Sequence, residues 1–200
     1  MIKNIVYFSG SHGSGKSTLI EKLAENDPEL FLAYPKLTLP EKFQDIHNRN
    51  KVRLARYYLH ASYLDELAKE KLGKIILCDR CSYDNTAYIK GFANIGWLNK
   101  EDLKNYLRMH DFLITEELKP ENVILLNPPL EEVINNIKKR WAETGKKKWR
   151  EDDFNYLVAI RKGFEKVYSE ADANILEIRY MDLEKRVKES LQWIKNLEKY

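Results

Sequence analysis

The sequence predicts an α/β fold in which helices cover both faces of a parallel sheet. Short apolar, β-branched runs alternate with longer segments of helical periodicity, and this alternation is typical of sheets built from strand–helix units. The 200 residues are 44% hydrophobic, which is enough to bury a core at this length. We therefore expect a single domain over residues 1–200. The five predicted strands are Asn4–Ser9, Phe31–Tyr34, Lys74–Cys78, Asn122–Leu126 and Asn174–Ile178.

Helical periodicity fills the intervals between these strands. The first helix, Lys16–Ala24, follows a glycine-rich turn, and a long helix over Asp45–Leu72 ends at Gly73, a residue type common just past helix C-termini. A basic segment at about residues 140–152 separates two later helices and is expected to form a lid. The other predicted helices are Asp84–Phe92, Glu101–Leu118, Leu130–Trp141, Asp152–Ser169 and Leu183–Leu197.

The charge balance and the cysteines limit the functions open to the chain. Lysine and arginine number 34 and the acidic residues 31, a net charge of +3, so the dominant basic face of a nucleic-acid coat protein is not expected. No apolar run approaches the ~20 residues that span a bilayer, and the chain begins with a strand pattern instead of a secretion signal. We expect a cytoplasmic protein. Cys78 and Cys81 lack a matching ligand pair for zinc, and Cys78 is expected to be buried.

A phosphate-binding loop follows the first strand. Residues 10–17 match G-x-x-x-x-G-K-[ST] at every fixed position, with the required strand before and helix after. Backbone N–H groups of such a loop surround phosphate oxygens, Lys16 bridges the β- and γ-phosphates, and the Ser17 hydroxyl binds Mg²⁺. The motif predicts ATP and Mg²⁺ as cofactors and a three-layer P-loop NTPase fold with a helical lid. The expected nucleotide-binding residues are Gly10, Ser11, His12, Gly13, Ser14, Gly15, Lys16, Ser17 and Thr18.

An acidic and a basic residue, Asp79 and Arg80, directly follow the third predicted strand. Ligands of parallel α/β sheets bind beyond the carboxyl ends of the strands, which favours a functional pair over a surface ion pair. A carboxylate there can hold Mg²⁺, and the guanidinium can bind an acceptor phosphate or the transferring group in bidentate fashion. We expect Asp79 to join Ser17 at the metal and Arg80 to be catalytic.

These motifs resemble the thymidylate-kinase-like group of nucleotide and nucleoside kinases. Residues 79–88 share the Asp-Arg start and Ala-Tyr end of a family segment, and Tyr34–Thr38 looks like the family substrate loop. Tyr156–Phe164 is similar to the helix after the lid, with its Arg-x-Gly-aromatic ending. The resemblance covers most of the chain and implies a P-loop phosphotransferase, with a homodimer packed through helices as a possible assembly.

The departures from the family pattern fall at substrate positions, so the base and sugar are not specified. Cys81 replaces the tyrosine associated with the sugar, Leu37 replaces the substrate-loop arginine, and Tyr63 lies near the place of the base-contacting arginine. Ser9 and His12 stand where acidic residues are usual. The residues expected to bind the acceptor are Tyr34, Lys36, Tyr63, Asp84, Asn85 and Tyr88.

The basic segment supplies candidate catalytic arginines. Phosphoryl transfer depends on positioning and on cations that stabilise spread negative charge, and this phosphate loop has no arginine of its own. The resemblance implies that a lid arginine takes its place, and Arg140 and Arg150 are the candidates beside Lys16 and Arg80. The three lysines at 146–148 fit equally a solvated turn and a functional lid.

The acceptor is either a nucleoside monophosphate or a free hydroxyl compound. A hydroxyl acceptor needs a general base, and no carboxylate follows the second predicted strand before Glu41. A monophosphate needs cations instead, which Lys36 and Arg80 supply, so a nucleoside monophosphate is the predicted acceptor. The alternative is a nucleoside or another small metabolite with Asp84 as the base. A regulatory P-loop ATPase that binds a partner or RNA is a third hypothesis.

Overall fold

A computed structural model describes residues 4–34, 45–71 and 73–197. It contains one five-stranded sheet in the order β2-β3-β1-β4-β5, and every neighbouring pair is parallel. The predicted α/β fold is confirmed, and β3 is displaced by one residue, so that Asp79 closes the strand. The strands are β1 (Ile5–Ser9), β2 (Phe31–Tyr34), β3 (Ile75–Asp79), β4 (Asn122–Leu126) and β5 (Asn174–Ile178).

The helices lie between the strands, as their periodicity predicts. The side chain of Asp45 accepts a hydrogen bond from the Asn48 N–H and so fixes the start of the long second helix. The predicted helix over Glu101–Leu118 is wrong in its last part, because Ile114 leaves helical geometry (φ −102°, ψ 87°) and is buried. The helices are α1 (Lys16–Asn26), α2 (Ile46–Glu70), α3 (Ser82–Asn94), α4 (Lys100–Leu113), α5 (Leu130–Thr144), α6 (Phe154–Tyr168) and α7 (Leu183–Leu197), with a 3₁₀ turn at Glu116–Leu118.

Alternate side chains of each central strand enter two different cores. Ile5 and Tyr7 of β1 pack on the side of α3 and α6, whereas Val6 and Phe8 pack on the side of α1 and α7. Successive strand side chains point to opposite faces, so a strand that is apolar throughout requires cover on both sides. The continuous apolar runs in the sequence therefore reflect a sheet between two helical layers.

Two glycines let α3 and α6 approach closely. A Cβ on Gly163 would lie 2.2 Å from the carbonyl oxygen of Ala87, and one on Gly91 would lie 2.7 Å from the Ile160 side chain. Only glycine avoids these overlaps. The Arg-x-Gly-aromatic segment noted in the sequence thus has a packing role, since it holds α6 against the helix that follows β3.

The central position of β1 brings the two ligand-binding motifs together. Phe8 of β1 is the register partner of Asp79 in β3, so the loop after β1 and the turn after β3 leave the same edge of the sheet. Both open at the carboxyl ends of parallel strands, where α/β folds bind ligands. Within the part of the chain that the structure describes, no helix is long and apolar enough to cross a membrane.

Candidate active site

The phosphate loop has the backbone geometry that its glycines predict. Gly10, Gly13 and Gly15 adopt φ of 138°, 73° and 90°, values that side chains other than glycine rarely tolerate. A Cβ on Gly10 would also lie 2.3 Å from the carbonyl oxygen of Leu126. The buried Lys16 ammonium lies inside the loop and donates to the carbonyls of Gly10 (2.9 Å) and Ser11 (2.8 Å). The loop thus surrounds a cation with converging backbone groups.

Ser17 and Asp79 form an oxygen-rich pair beside this loop. The Ser17 hydroxyl donates to Asp79 Oδ2 over 2.8 Å, and Asp79 is buried. A hydroxyl and a carboxylate are hard oxygen donors, which fit Mg²⁺ when phosphate oxygens and waters complete its octahedron. The described residues contain no cluster of three or more histidine, cysteine or acidic side chains around a possible metal. The pair therefore fits a magnesium bound mainly through the nucleotide.

Arg80 leaves the sheet through a left-handed turn. Its φ of 85° is uncommon for a residue other than glycine and is costly by about 1–3 kcal/mol. The turn directs the guanidinium to the Gly10 carbonyl and to Asp84 Oδ2, each 3.3 Å from Nη1. The two successive side chains therefore have different partners: Asp79 contacts Ser17, and Arg80 contacts Asp84.

Asp84, on the first turn of α3, is a fully buried carboxylate. Its Oδ1 accepts a hydrogen bond from the Tyr168 hydroxyl over 2.9 Å, and that hydroxyl also lies against Ser9 Oγ and Cys81 Sγ. Burial raises the pKa of Asp84, and the nearby charges of Arg80 and Lys16 oppose that rise. The site therefore holds a carboxylate with increased proton affinity close to the phosphate loop.

Helices α2 and α3, which contact each other, carry several buried polar side chains. The Arg53 guanidinium stacks 4.4 Å from the Tyr88 ring, and Tyr57 is buried nearby on the same face of α2. The side-chain amides of Asn50 and Asn85 are fully buried and form no hydrogen bond with any residue that the structure describes. Buried amides ordinarily have partners, so these two are suited to a bound ligand.

The sequence pattern pointed to Asn85 and Tyr88 as acceptor-binding residues, but Asn50 and Arg53 were missed. A signal for them was present in the sequence. The stripe of α2 that continues as Leu64 and Ala68 in the core is polar at Asn50 and Arg53. A helical stripe that changes from apolar to polar while it stays buried is a candidate for ligand binding, because buried polar groups require partners.

The other predicted acceptor residues are differently placed. The Tyr34 ring lies 4.7 Å from the His60 ring and 6.0 Å from the Tyr63 ring, and Tyr63 is largely exposed. The structure thus groups Tyr34 and Tyr63 with each other, and Asp84 and Tyr88 with Arg80. Lys36 and Glu41 lie outside the described residues.

The segment predicted to form a lid is joined to the phosphate loop through Glu151. Its buried carboxylate accepts hydrogen bonds from the Arg140 guanidinium, the Trp141 indole (3.4 Å) and the Lys148 backbone N–H (3.1 Å). Glu151 Oε1 also lies 3.6 Å from Nδ1 of His12, whose Nε2 is 2.9 Å from the Tyr156 hydroxyl. Glu151 therefore holds one candidate lid arginine next to the loop.

Arg150, the second candidate, points elsewhere. It has a left-handed backbone (φ 58°), and its guanidinium lies 5.1 Å from the centre of the Trp97 ring. Trp97 belongs to an aromatic cluster with Trp149 and Tyr156. Of these two candidates, Arg140 is the one that is linked through Glu151 to His12 of the phosphate loop.

A three-layer parallel fold with this phosphate loop, the Ser17–Asp79 pair and a basic segment at residues 140–152 is typical of P-loop phosphotransferases. The sequence pattern of the deoxynucleoside kinases matches residues 7–199, and the chain belongs to that family. It is therefore a nucleoside or nucleotide kinase, and its family uses a nucleotide such as ATP as phosphate donor.

Solved structures agree with the fold. Deoxyadenosine kinase from M. mycoides with bound dATP superimposes with a TM-score of 0.73 at 18% identity, over 95% of this chain and 98% of that one. Thymidylate kinase from Ehrlichia chaffeensis gives 0.64 at 17% identity, over 95% and 97%. No curated protein matches the sequence directly. The resemblance to P-loop kinases stated from the motifs is confirmed.

Proposed function

We propose that the protein is an ATP-dependent deoxynucleoside kinase that phosphorylates a sugar hydroxyl. The sequence alone favoured a nucleoside monophosphate as acceptor, with a nucleoside as the alternative. Membership of the deoxynucleoside kinase family supports that alternative. One of the similar structures is a deoxyadenosine kinase, and at 18% identity it supports the fold of the proposed enzyme.

The observation that carries the proposal is the pairing of Arg80 with the buried Asp84. A hydroxyl acceptor must lose a proton, and a base is most effective when its pKa approaches the working pH. Asp84 is the candidate for this base, because its Oδ2 lies beside Arg80 at the edge of the phosphate loop and burial raises its pKa above the ordinary aspartate value. Arg80 is already paired with Asp84 and is therefore less available to bind an acceptor phosphate.

The remaining roles follow from placement. Lys16 and the loop N–H groups would bind the donor phosphates, and Ser17 and Asp79 would hold Mg²⁺, which would supply charge neutralisation at the donor. Arg140, held by Glu151, supplies positive charge from the lid. Closure of the lid would exclude water and so limit wasteful hydrolysis of ATP.

We assign recognition of the acceptor base to Asn50, Arg53 and Asn85. An amide offers one acceptor and two donor hydrogens, and a guanidinium offers donors in a planar fork. The edge of a base presents donors and acceptors side by side, which such groups match. The Tyr88 ring, beneath Arg53, adds an aromatic surface next to these polar groups.

Acceptor-dependent release of ADP from Mg·ATP tests the proposal. A panel of the four common deoxynucleosides and their 5′-monophosphates is supplied at equal concentration. Turnover with at least one free deoxynucleoside, and none with the monophosphates, is the expected result. Turnover of monophosphates alone would select the nucleotide-kinase hypothesis, and acceptor-independent hydrolysis stimulated by RNA would select the regulatory ATPase.

The role of Asp84 is tested by Asp84→Asn in the same assay. General-base catalysis contributes roughly 10²–10⁴-fold, so kcat should fall by about 100-fold or more, with the acidic limb of the pH–rate profile lost. Asp111→Asn on α4 removes an exposed carboxylate and should leave both unchanged. An Asp84→Asn enzyme with wild-type kcat would contradict the assignment.

A further inference from the structure

Arg186 lies beneath the phosphate loop, although no motif of the sequence includes it. It belongs to α7, is 1% exposed, and is 172 residues from its partner Ser14 in the loop. Its Nη1 donates to the Ser14 carbonyl over 2.7 Å, and its Nε donates to the Tyr180 carbonyl over 2.5 Å. The Arg186 side chain thus links helix α7 to the phosphate loop.

The contact fixes the direction of a loop peptide. No peptide bond in the described residues is cis, so the Ser14 carbonyl and the Gly15 N–H point in opposite directions. Arg186 holds that carbonyl and thereby directs the Gly15 N–H away from α7. A Cβ on Gly15 would lie 2.7 Å from Arg186 Nη1, so the guanidinium packs directly against this residue.

The charge of Arg186 has no carboxylate partner among the described residues. Its guanidinium contacts are two backbone carbonyls and the Met181 sulfur. Burial lowers the pKa of Arg186 to about 10, with Glu132 acting in the opposite direction, so the group stays protonated at neutral pH. A buried charge without an ion pair is costly, and an anion bound in the loop above it would reduce that cost.

We propose that Arg186 is a positioning residue for the phosphate donor: it orients the Ser14–Gly15 peptide and supplies positive charge beneath the bound triphosphate. The inference rests on ATP as the donor of the proposed reaction. It concerns donor binding alone and is independent of the acceptor.

The test measures the Kd of Mg·ATP by calorimetry with no acceptor present. Arg186→Met should raise Kd by about tenfold or more, the size expected for losing a charge-assisted interaction. Inorganic triphosphate should lose affinity by the same factor, because the effect lies at the phosphates. Arg179→Met is the matched control: Arg179 is an exposed arginine of the same segment, paired with Glu177, and its loss should leave both values unchanged.

Thermal unfolding of each variant separates positioning from mere structure. A lower unfolding temperature with an unchanged Kd for ATP would overturn the proposal, since Arg186 would then only stabilise the fold. If Arg186→Met does not fold, the Kd of Mg·ATP is measured with Arg186→Lys instead. It keeps the charge but cannot reach both carbonyls in the same way, so Kd should rise at least about threefold, and an unchanged Kd would again overturn the proposal. Failure of wild-type protein to phosphorylate deoxynucleosides would refute the proposed acceptor and leave this result standing.

Discussion

Asp79 and Arg80 illustrate how much depends on single backbone angles. Consecutive residues of an extended strand point to opposite faces, yet both of these side chains must serve one edge of the sheet. The left-handed φ of Arg80 solves this by turning its guanidinium back over the Gly10 carbonyl. The charge-assisted contacts of that guanidinium offset the cost of the turn.

Replacement of Lys16 by alanine should remove phosphoryl transfer. Lys16 is the one loop side chain expected to bridge the donor phosphates, and loss of one preorganised donor typically lowers kcat by about 10²–10³-fold. The measurement is ADP release with the preferred acceptor. Lys22→Ala, an exposed lysine on the same helix, is the control and should keep wild-type activity. Retained activity in Lys16→Ala would contradict the donor site.

His60 should make stability depend on pH. Burial, with a contribution from Arg56, lowers the pKa of His60 to about 4 from 6.5. The unfolded chain therefore binds a proton first as pH falls, and stability is lost between about pH 6.5 and pH 4. The full effect is of the order of 3 kcal/mol. Urea unfolding at several pH values should show this loss in the wild type and a smaller loss in His60→Gln. Equal pH dependence in both would show that His60 is not the source.

At the scale of elements, the junction of α3 with α6 controls the geometry of the site. Helix α3 carries Asp84 and Tyr88, and α6 carries Tyr156 and Tyr168, which contact them or the loop. The glycine contacts set the distance between these two helices. A change in that distance would shift helix α3 and with it the Asp84 carboxylate.

Gly163→Ala should destabilise the protein and reduce its activity. The added methyl would overlap the Ala87 carbonyl, and overpacking of this kind costs roughly 1–3 kcal/mol. The urea midpoint and kcat should both fall. Asn155→Ala, at an exposed position on the same helix, should change neither appreciably. An unchanged midpoint in Gly163→Ala would show that the helices can separate without penalty.

Glu151→Gln should impair catalysis more than ATP binding. Removal of the carboxylate charge weakens the contact with Arg140, and small misplacements of catalytic groups cost up to about 100-fold in rate. We expect kcat to fall at least about tenfold while the Kd of Mg·ATP stays within about twofold. Asp152→Asn changes the neighbouring exposed carboxylate and serves as the control. Equal losses in both variants would point to general disruption of the lid.

At the scale of the whole molecule, the sheet and the phosphate loop were predictable from the sequence, and the residues proposed to bind the acceptor only in part. Apolar runs identify the strands locally. The phosphate loop is a contiguous motif, and its glycines indicate positions that need a backbone geometry which other residues rarely adopt. The contact of Arg186 with the phosphate loop joins segments that are 172 residues apart in the sequence. No local pattern records such partners.

Donor binding should also stabilise the entire fold. Mg·ATP at 100 times its Kd is expected to stabilise the native state by about 2.7 kcal/mol. Differential scanning fluorimetry should show a higher unfolding temperature for the wild type with Mg·ATP and little change for Lys16→Ala. A similar rise in both would mean that the nucleotide binds away from the loop.

The contact between the phosphate loop and helix α7 has a consequence for synthesis on the ribosome. Ser17 meets Asp79 only after 62 further residues, and Ser14 meets Arg186 only after 172. At roughly 5–20 residues per second, about 10–30 s pass between synthesis of the phosphate loop and synthesis of Arg186. A nascent chain would therefore gain the support of Arg186 only after α7 has been synthesised, and ATP would stabilise chains that contain α7 in preference to shorter ones.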